Sequence, residues 1–256
     1  MSDIQGLTLE KAREFYFKHY SPDNAVGVLV GDLDLPKTEA MLEKWFGRIP
    51  KRGVPPPITT VEPPQMGERR VEIRFPEASP RLMLGFHKRC APHPDDTLAD
   101  VTADLLGEGR TSRLYRRLVL KDRIAAGVFA HNGFPGARYD NLLVLGATPL
   151  KGHAPAECEA AILDELKALA AAPPTEAEMS RVRAQQEVGL MGALDSNNGL
   201  GSMLLDNELL VGDWREPWRF LERLRKVKPG DVQAFAARCF DSENRTVVTL
   251  FPKETP

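Results

Sequence analysis

The sequence predicts an α+β fold: a two-layer lobe whose mainly antiparallel sheet packs on helices, preceded by the tail of an equivalent lobe. Three observations predict it. A helix–turn–strand unit near the start of the chain recurs near its end. Residues 7–30 align without gaps on residues 227–250 at one offset (244 − 24 = 220), so that Phe15 meets Phe235, Tyr20 meets Phe240, Asn24 meets Asn244 and Val28 meets Val248. An offset of that size belongs to a domain, not to a solenoid unit. Residues 51–57 and 62–67 are rich in Pro and Gly, which excludes regular structure and makes a semi-rigid spacer. After the spacer, strands and helices alternate over hairpin-length connections, as in a two-layer α+β lobe. The chain therefore divides into residues 1–50, the closing piece of a first lobe; 51–68, the linker; and 69–256, a complete second lobe.

The elements follow in order. Thr8 is a natural N-cap for a first helix, which Ser21-Pro22-Asp23-Asn24 ends. Residues 26–30 are β-branched and apolar, as a buried strand requires. Pro36 opens a second helix through Trp45 and Phe46. Beyond the linker, Val71, Ile73 and Phe75 alternate in one strand, and Leu82, Leu84 and Phe86 in the next. Pro94 starts a helix carrying Leu98, Val101 and Leu105, which Gly107-Glu108-Gly109 stops. Thr111 is placed to cap a further helix through Leu114, Leu118 and Val119. Residues 124–131 and 141–148 read as strands joined through Gly133, Pro135 and Gly136. A long helix over 154–171 is broken by Pro173-Pro174. Thr175 then caps another, with Glu178 at the capping-box position, running to about Leu194. Asn197-Asn198-Gly199 reads as a turn, with helices starting near Leu200 and Glu216. Trp214 and Trp218 read as core packing.

Composition narrows function more by exclusion than by assertion. With 34 basic and 36 acidic residues the net charge is -2, which gives no bulk attraction to nucleic acid or anionic lipid. No apolar run is long enough to cross a bilayer. Met1-Ser2-Asp3-Ile4-Gln5 lacks the layout of an export signal. The 3 Cys, at 90, 158 and 239, form no CxxC, so neither a disulfide framework nor a thiolate zinc site is indicated. The 5 His include no pair at i,i+3 or i,i+4, so no helix-borne HExxH or HxxEH zinc site exists in these residues. There is no GxxxxGK[ST] phosphate loop and no GxSxG elbow. One feature is positive: Arg113, Arg116 and Arg117, within a basic stretch that also holds Arg110, Lys121 and Arg123, share a helical face. That face is either solvated surface or a substrate-binding site that captures a peptide carboxylate.

Two stretches carry a family likeness. Leu7-Thr8-Leu9-Glu10, Phe15-Tyr16, Tyr20-Ser21-Pro22-Asp23-Asn24 and Val30-Gly31-Asp32, together with Leu105-Leu106-Gly107 and Ser112-Arg113-Leu114-Tyr115, closely resemble the M16 zinc metallopeptidases of the insulinase, pitrilysin and processing-peptidase type. The likeness runs in order over nearly the whole chain. It implies two similar α/β lobes. The first carries HxxEH and zinc, and the second, to which this chain would belong, is the non-catalytic half that closes over the substrate. Zinc is then implied for a catalytic lobe upstream or on a partner chain, and no metal ligands or catalytic residues for this one. Asp100 and Asp104 fall where HxxEH would lie in a first lobe and are expected to be solvated. Many relatives hold substrate with an Arg and a Tyr seven residues apart, and those positions here are Val119 and Ala126, which donate nothing. The sequence itself leaves the compartment unknown; bacterial members of that family are often exported, which suggests a periplasmic one. The other reading is an M16-like scaffold subunit without activity. Either way, apolar residues of the first segment such as Val28, Leu29 and Trp45 are expected to be exposed and to favour self-association.

Overall fold

A computed structural model describes residues 2–76 and 79–253. The described chain forms two units. The larger joins Pro64–Met191 to the residues from Glu216 onward, and the smaller joins the residues up to Pro63 to Gly192–Arg215.

Five strands make one sheet in the larger unit: β1 (Arg69–Phe75), β2 (Arg81–Lys88), β3 (Ala125–Phe134), β4 (Asn141–Pro149) and β5 (Arg245–Pro252), in the order β1-β5-β2-β4-β3. Only β1 and β5 run parallel, with Val71 opposite Val248; the other pairings are antiparallel. Helices α4 (Pro94–Gly107), α5 (Pro155–Ala171) and α9 (Pro229–Cys239) cover one face. The alternation of β2 and β4 sends Leu82, Leu84, Phe86, Leu143 and Leu145 to that face. There they meet Leu105 of α4, Ile162 and Leu169 of α5 and Phe235 of α9, all essentially inaccessible to solvent. Gly107 closes α4 against β3. A Cβ there would collide with the backbone of Phe129 and Ala130, so only glycine lets the helix end approach the strand.

The helix start at α4 has an unexpected cap. His93 accepts the Asp95 N–H through Nδ1 at 3.1 Å. The helix after Gly109 also departs from expectation. Thr111 does not cap it; Ser112 offers its carbonyl to Arg116, and residues Tyr115–Lys121 wind as a π-helix. By contrast the Thr175–Glu178 capping box forms as predicted at the head of α6 (Glu176–Leu194), with reciprocal bonds of 2.8 and 3.2 Å. Helix α8 (Glu216–Lys226) follows Trp214 and precedes α9. The tryptophans are not core residues: Trp214 is 43% and Trp218 37% exposed.

The smaller unit contains α1 (Ser2–Gln5), α2 (Leu9–His19), α3 (Leu35–Phe46) and α7 (Asn197–Val211). Thr8 caps α2 as expected, accepting the Lys11 N–H at 3.3 Å. Asn197-Asn198-Gly199 is not a turn but the first turn of α7. Ser196 supplies the cap by accepting the Gly199 N–H at 3.0 Å. The strand expected over residues 26–30 forms no ladder. β-branched composition supplies a propensity, but a strand exists only where a neighbour takes its N–H and C=O groups.

The duplicated unit is reproduced in detail. Helix α2 and the 3₁₀ turn Pro22–Asn24 have the same lengths as α9 and the 3₁₀ turn Ser242–Asn244, residue for residue at the sequence offset. Asn24 donates its side-chain amide to the His19 carbonyl at 2.8 Å, and Asn244 donates to the Cys239 carbonyl at 2.9 Å. The same residue closes the same corner in both copies. In the second copy the following residues become β5, inserted between β1 and β2.

Candidate functional site

The π-helix builds a charged surface feature of the larger unit. A concavity of about 370 Å³ is lined by Arg113, Arg116, Arg117, Lys121, Glu165 and Glu178. The sequence grouped the three arginines on one face, and the structure does bring them to one site. Its winding differs from the α-helix assumed, as the Asp122 N–H donating five residues back to the Arg117 carbonyl at 2.8 Å shows. Winding at i→i+5 carries Lys121 about one turn on from Arg116, onto the same side of the segment.

The four cations differ in how they are held. Arg113 makes a two-pronged pair with Glu178, Nε to Oε1 at 2.8 Å and Nη2 to Oε2 at 2.9 Å. The guanidinium, with the Thr175 bonds, holds the Glu178 carboxyl down at about 2. Arg117 bonds Asp122 at 2.5 Å and lies 3.6 Å from Glu165. Arg116 and Lys121 are exposed and have no ion-pair partner among the described residues. The shared face of the three arginines is legible in the sequence. Their partners are less so: Glu178 of α6 binds Arg113, Asp122 with Glu165 of α5 binds Arg117, and Lys121 lines the same concavity as Arg116.

A second cluster lies on α4. Asp100 and Asp104, expected to be solvated, are half-buried and hydrogen-bonded. Asp100 accepts the Asn132 amide at 2.9 Å, and the same amide reaches Asp96 Oδ1 at 3.1 Å. Lys88, buried from β2, pairs with Asp96. Asp104 accepts the Gln186 amide at 2.5 Å. Burial pushes the Asp100 carboxyl up to about 7 and raises that of Asp104. Each of these two carboxylates is thus engaged by a side-chain amide. Among the described residues no group of three or more His, Cys, Asp or Glu is placed to hold a metal ion. His93 is engaged as the α4 cap. The described residues of this chain do not fit a catalytic zinc.

Val119 packs partly buried against the hydrophobic core, and Ala126 is an exposed residue of β3. Neither side chain can hold a substrate carbonyl or a developing oxyanion. The cysteines are free thiols. Burial raises all three above their usual value, that of Cys158 to about 11 and that of Cys239 to about 12, which leaves none of them activated.

The sheet with its layer of helices is an α+β fold, and among the described residues no metal-binding constellation lies on it. Residues 6–186 match the family described as the Peptidase M16 inactive domain, and the chain belongs to that family. It is 27% identical over 98% of its length to the zinc protease PqqE of Helicobacter pylori, of which it spans 57%. The crystal structure of a protease from Helicobacter pylori superposes with a TM-score of 0.90 at 25% identity, covering 98% of this chain and 61% of that one. The M16 inactive domain from Pseudomonas fluorescens has the same fold, with a TM-score of 0.82 at 18% identity over 97% of this chain and 58% of its own. The chain therefore spans little more than half the length of the zinc proteases it matches.

Proposed function

We propose that this chain is the non-catalytic, substrate-enclosing half of a zinc-dependent peptidase, working with a catalytic lobe that carries HxxEH. The observation that carries this reading is the match to an inactive M16 domain within relatives named zinc proteases, of which the chain spans about half. The unpaired residues 26–30 support it. Their counterparts in the second copy sit between two strands, so the first copy calls for equivalent partners. The division into a first-lobe tail over 1–50, a linker over 51–68 and a second lobe over 69–256 is part of the same proposal. Zinc-activated water, with a carboxylate base on the catalytic lobe, would supply the hydrolysis. This half would position peptide and exclude solvent.

The test is immunoprecipitation of the native protein from its source cells with an antibody to this chain. The expected precipitate cleaves a quenched fluorescent peptide library, loses that activity to a chelator and regains it with zinc. A precipitate with no chelator-sensitive peptidase would overturn the proposal and leave the inactive scaffold subunit as the function.

A further inference from the structure

We propose that the concavity on the π-helix is a binding site for a single peptide carboxylate, held between Arg116 and Lys121. The ligand class deepens the reading of this half as one that positions peptide, and it rests on that reading only for its biological use.

Charge sets the class of ligand. Six side chains line the site, four cationic and two anionic. Glu178 is committed to Arg113 through two hydrogen bonds, and Arg117 is shared by Asp122 and Glu165. Both pairs are internal to the fold, so they fix the walls and cancel most of their own charge. The uncancelled charge belongs to Arg116 and Lys121, and both side chains are exposed. Their donors are unspent: a guanidinium offers a planar fork and an ammonium offers three rotatable donors.

Geometry selects among anions. In an α-helix, residues five apart point away from each other, and the i→i+5 winding of Tyr115–Lys121 brings them round together. A π segment is uncommon and tends to persist where a site uses it. Here its effect is to place two unpaired cations on one side of one cavity. The two wall carboxylates set the upper limit on ligand charge. A polyphosphate or a nucleic-acid backbone would bring several charges against Glu165 and Glu178, whereas one carboxylate matches the net surplus of one that remains once Asp122, paired with Arg117, is counted beside the two wall carboxylates. Two sources share this chemistry, the C-terminus of a peptide and an internal Asp or Glu side chain.

Three capped tripeptides tested on the 256-residue chain separate these sources: Ac-Ala-Ala-Ala with a free carboxylate, Ac-Ala-Glu-Ala amidated, and Ac-Ala-Ala-Ala amidated. Binding is followed by NMR shifts of the 113–121 backbone amides and the Arg116 Nε–H at low ionic strength, since salt screens such contacts. Saturable shifts with either or both charged peptides, absent with the neutral one, are expected. Which charged peptide binds more tightly identifies the source. The double variant Arg116→Ala, Lys121→Ala should weaken binding at least tenfold while leaving the thermal transition in place, because both side chains are exposed and unpaired. Arg110→Ala, outside the lining, should leave binding intact. Equal shifts with the neutral peptide, no saturable shift with either charged one, or undiminished binding by the double variant would each overturn the proposal. None of these outcomes bears on chelator-sensitive peptidase activity in the native precipitate, so the two proposals fail separately.

Discussion

Replacing Asp100 by an asparagine tests the physics of the buried polar cluster. Burial is the main reason the Asp100 carboxyl rises from 3.8 to about 7, with Asp96 and Asp104 adding to the rise while the Asn132 bond and Lys88 oppose it. In the unfolded chain the group titrates near its ordinary value. The folded state therefore binds the proton more tightly. The penalty for ionisation is absent below about pH 4, grows as pH rises toward about 7, and is complete above that. Three units at roughly 1.4 kcal/mol each set a ceiling of about 4 kcal/mol on the cost. A neutral amide in place of the carboxyl would keep an acceptor for the Asn132 amide and could donate to Asn132 Oδ1, which is buried without a partner. We expect Asp100→Asn to gain about 1–3 kcal/mol at pH 8 and little at pH 4.5, the range allowing for a new amide that must find its own partners. Urea unfolding from pH 4.5 to 8, followed by circular dichroism, reads both proteins. Parallel stability curves for wild type and variant would refute the desolvation argument.

Other predictions use the same unfolding assay unless stated. Phe86 is fully buried and meets the Phe240 ring edge-on at 4.9 Å, so Phe86→Ala should cost about 3–5 kcal/mol. A loss below about 1 kcal/mol would show that this face is not the packed core. Asn244→Ala strips the side-chain donor from the carbonyls of His87 and Cys239 and should cost about 1–3 kcal/mol, whereas Asn24→Ala, at an exposed corner, should cost less than about 1 kcal/mol. Equal costs would mean burial is irrelevant to this cap. Glu178 sits below its ordinary carboxylate value, so its contribution is present above about pH 4.5 and disappears as pH falls toward about 2. Glu178→Gln should remove about 1–2 kcal/mol at pH 7, an amount discounted for the partial exposure of the pair, and should flatten that acid limb. An unchanged acid limb would contradict the assignment.

The sequence carried most of the fold because local signals and global packing agreed. The alternation in β2 and β4, the Thr8 and Thr175 caps and the proline breaks each describe something the chain does within a few residues. The duplicated corner was legible because the same Asn performs the same bond in both copies. What sequence could not show depends on partners far along the chain. Residues 26–30 have strand composition and no described neighbour to pair with. Asn197-Asn198-Gly199 looks like a turn until Ser196 is seen to cap it. The arginine face was visible as a pattern, yet its division into bound and unbound cations needed Glu165 and Glu178 from other helices. The α4 carboxylates mislead for a similar reason. Two acids four apart suggest a wet helix face, and only the fold reveals Asn132 and Gln186 turned toward them.

The position of β5 has a consequence in time. It separates β1 from β2, so Arg69 can meet Thr246 only after the intervening residues have been made (246 − 69 = 177). At roughly 5–20 residues per second, translation leaves β1 waiting for roughly 10–35 s. Strands β2, β3 and β4 can join as neighbours during that interval, while Val71, Ile73 and Phe75 remain uncovered by a strand partner. A chaperone or a slow ribosome would act on this lobe mainly through that delay. The first strand to leave the ribosome in this unit is among the last to be paired.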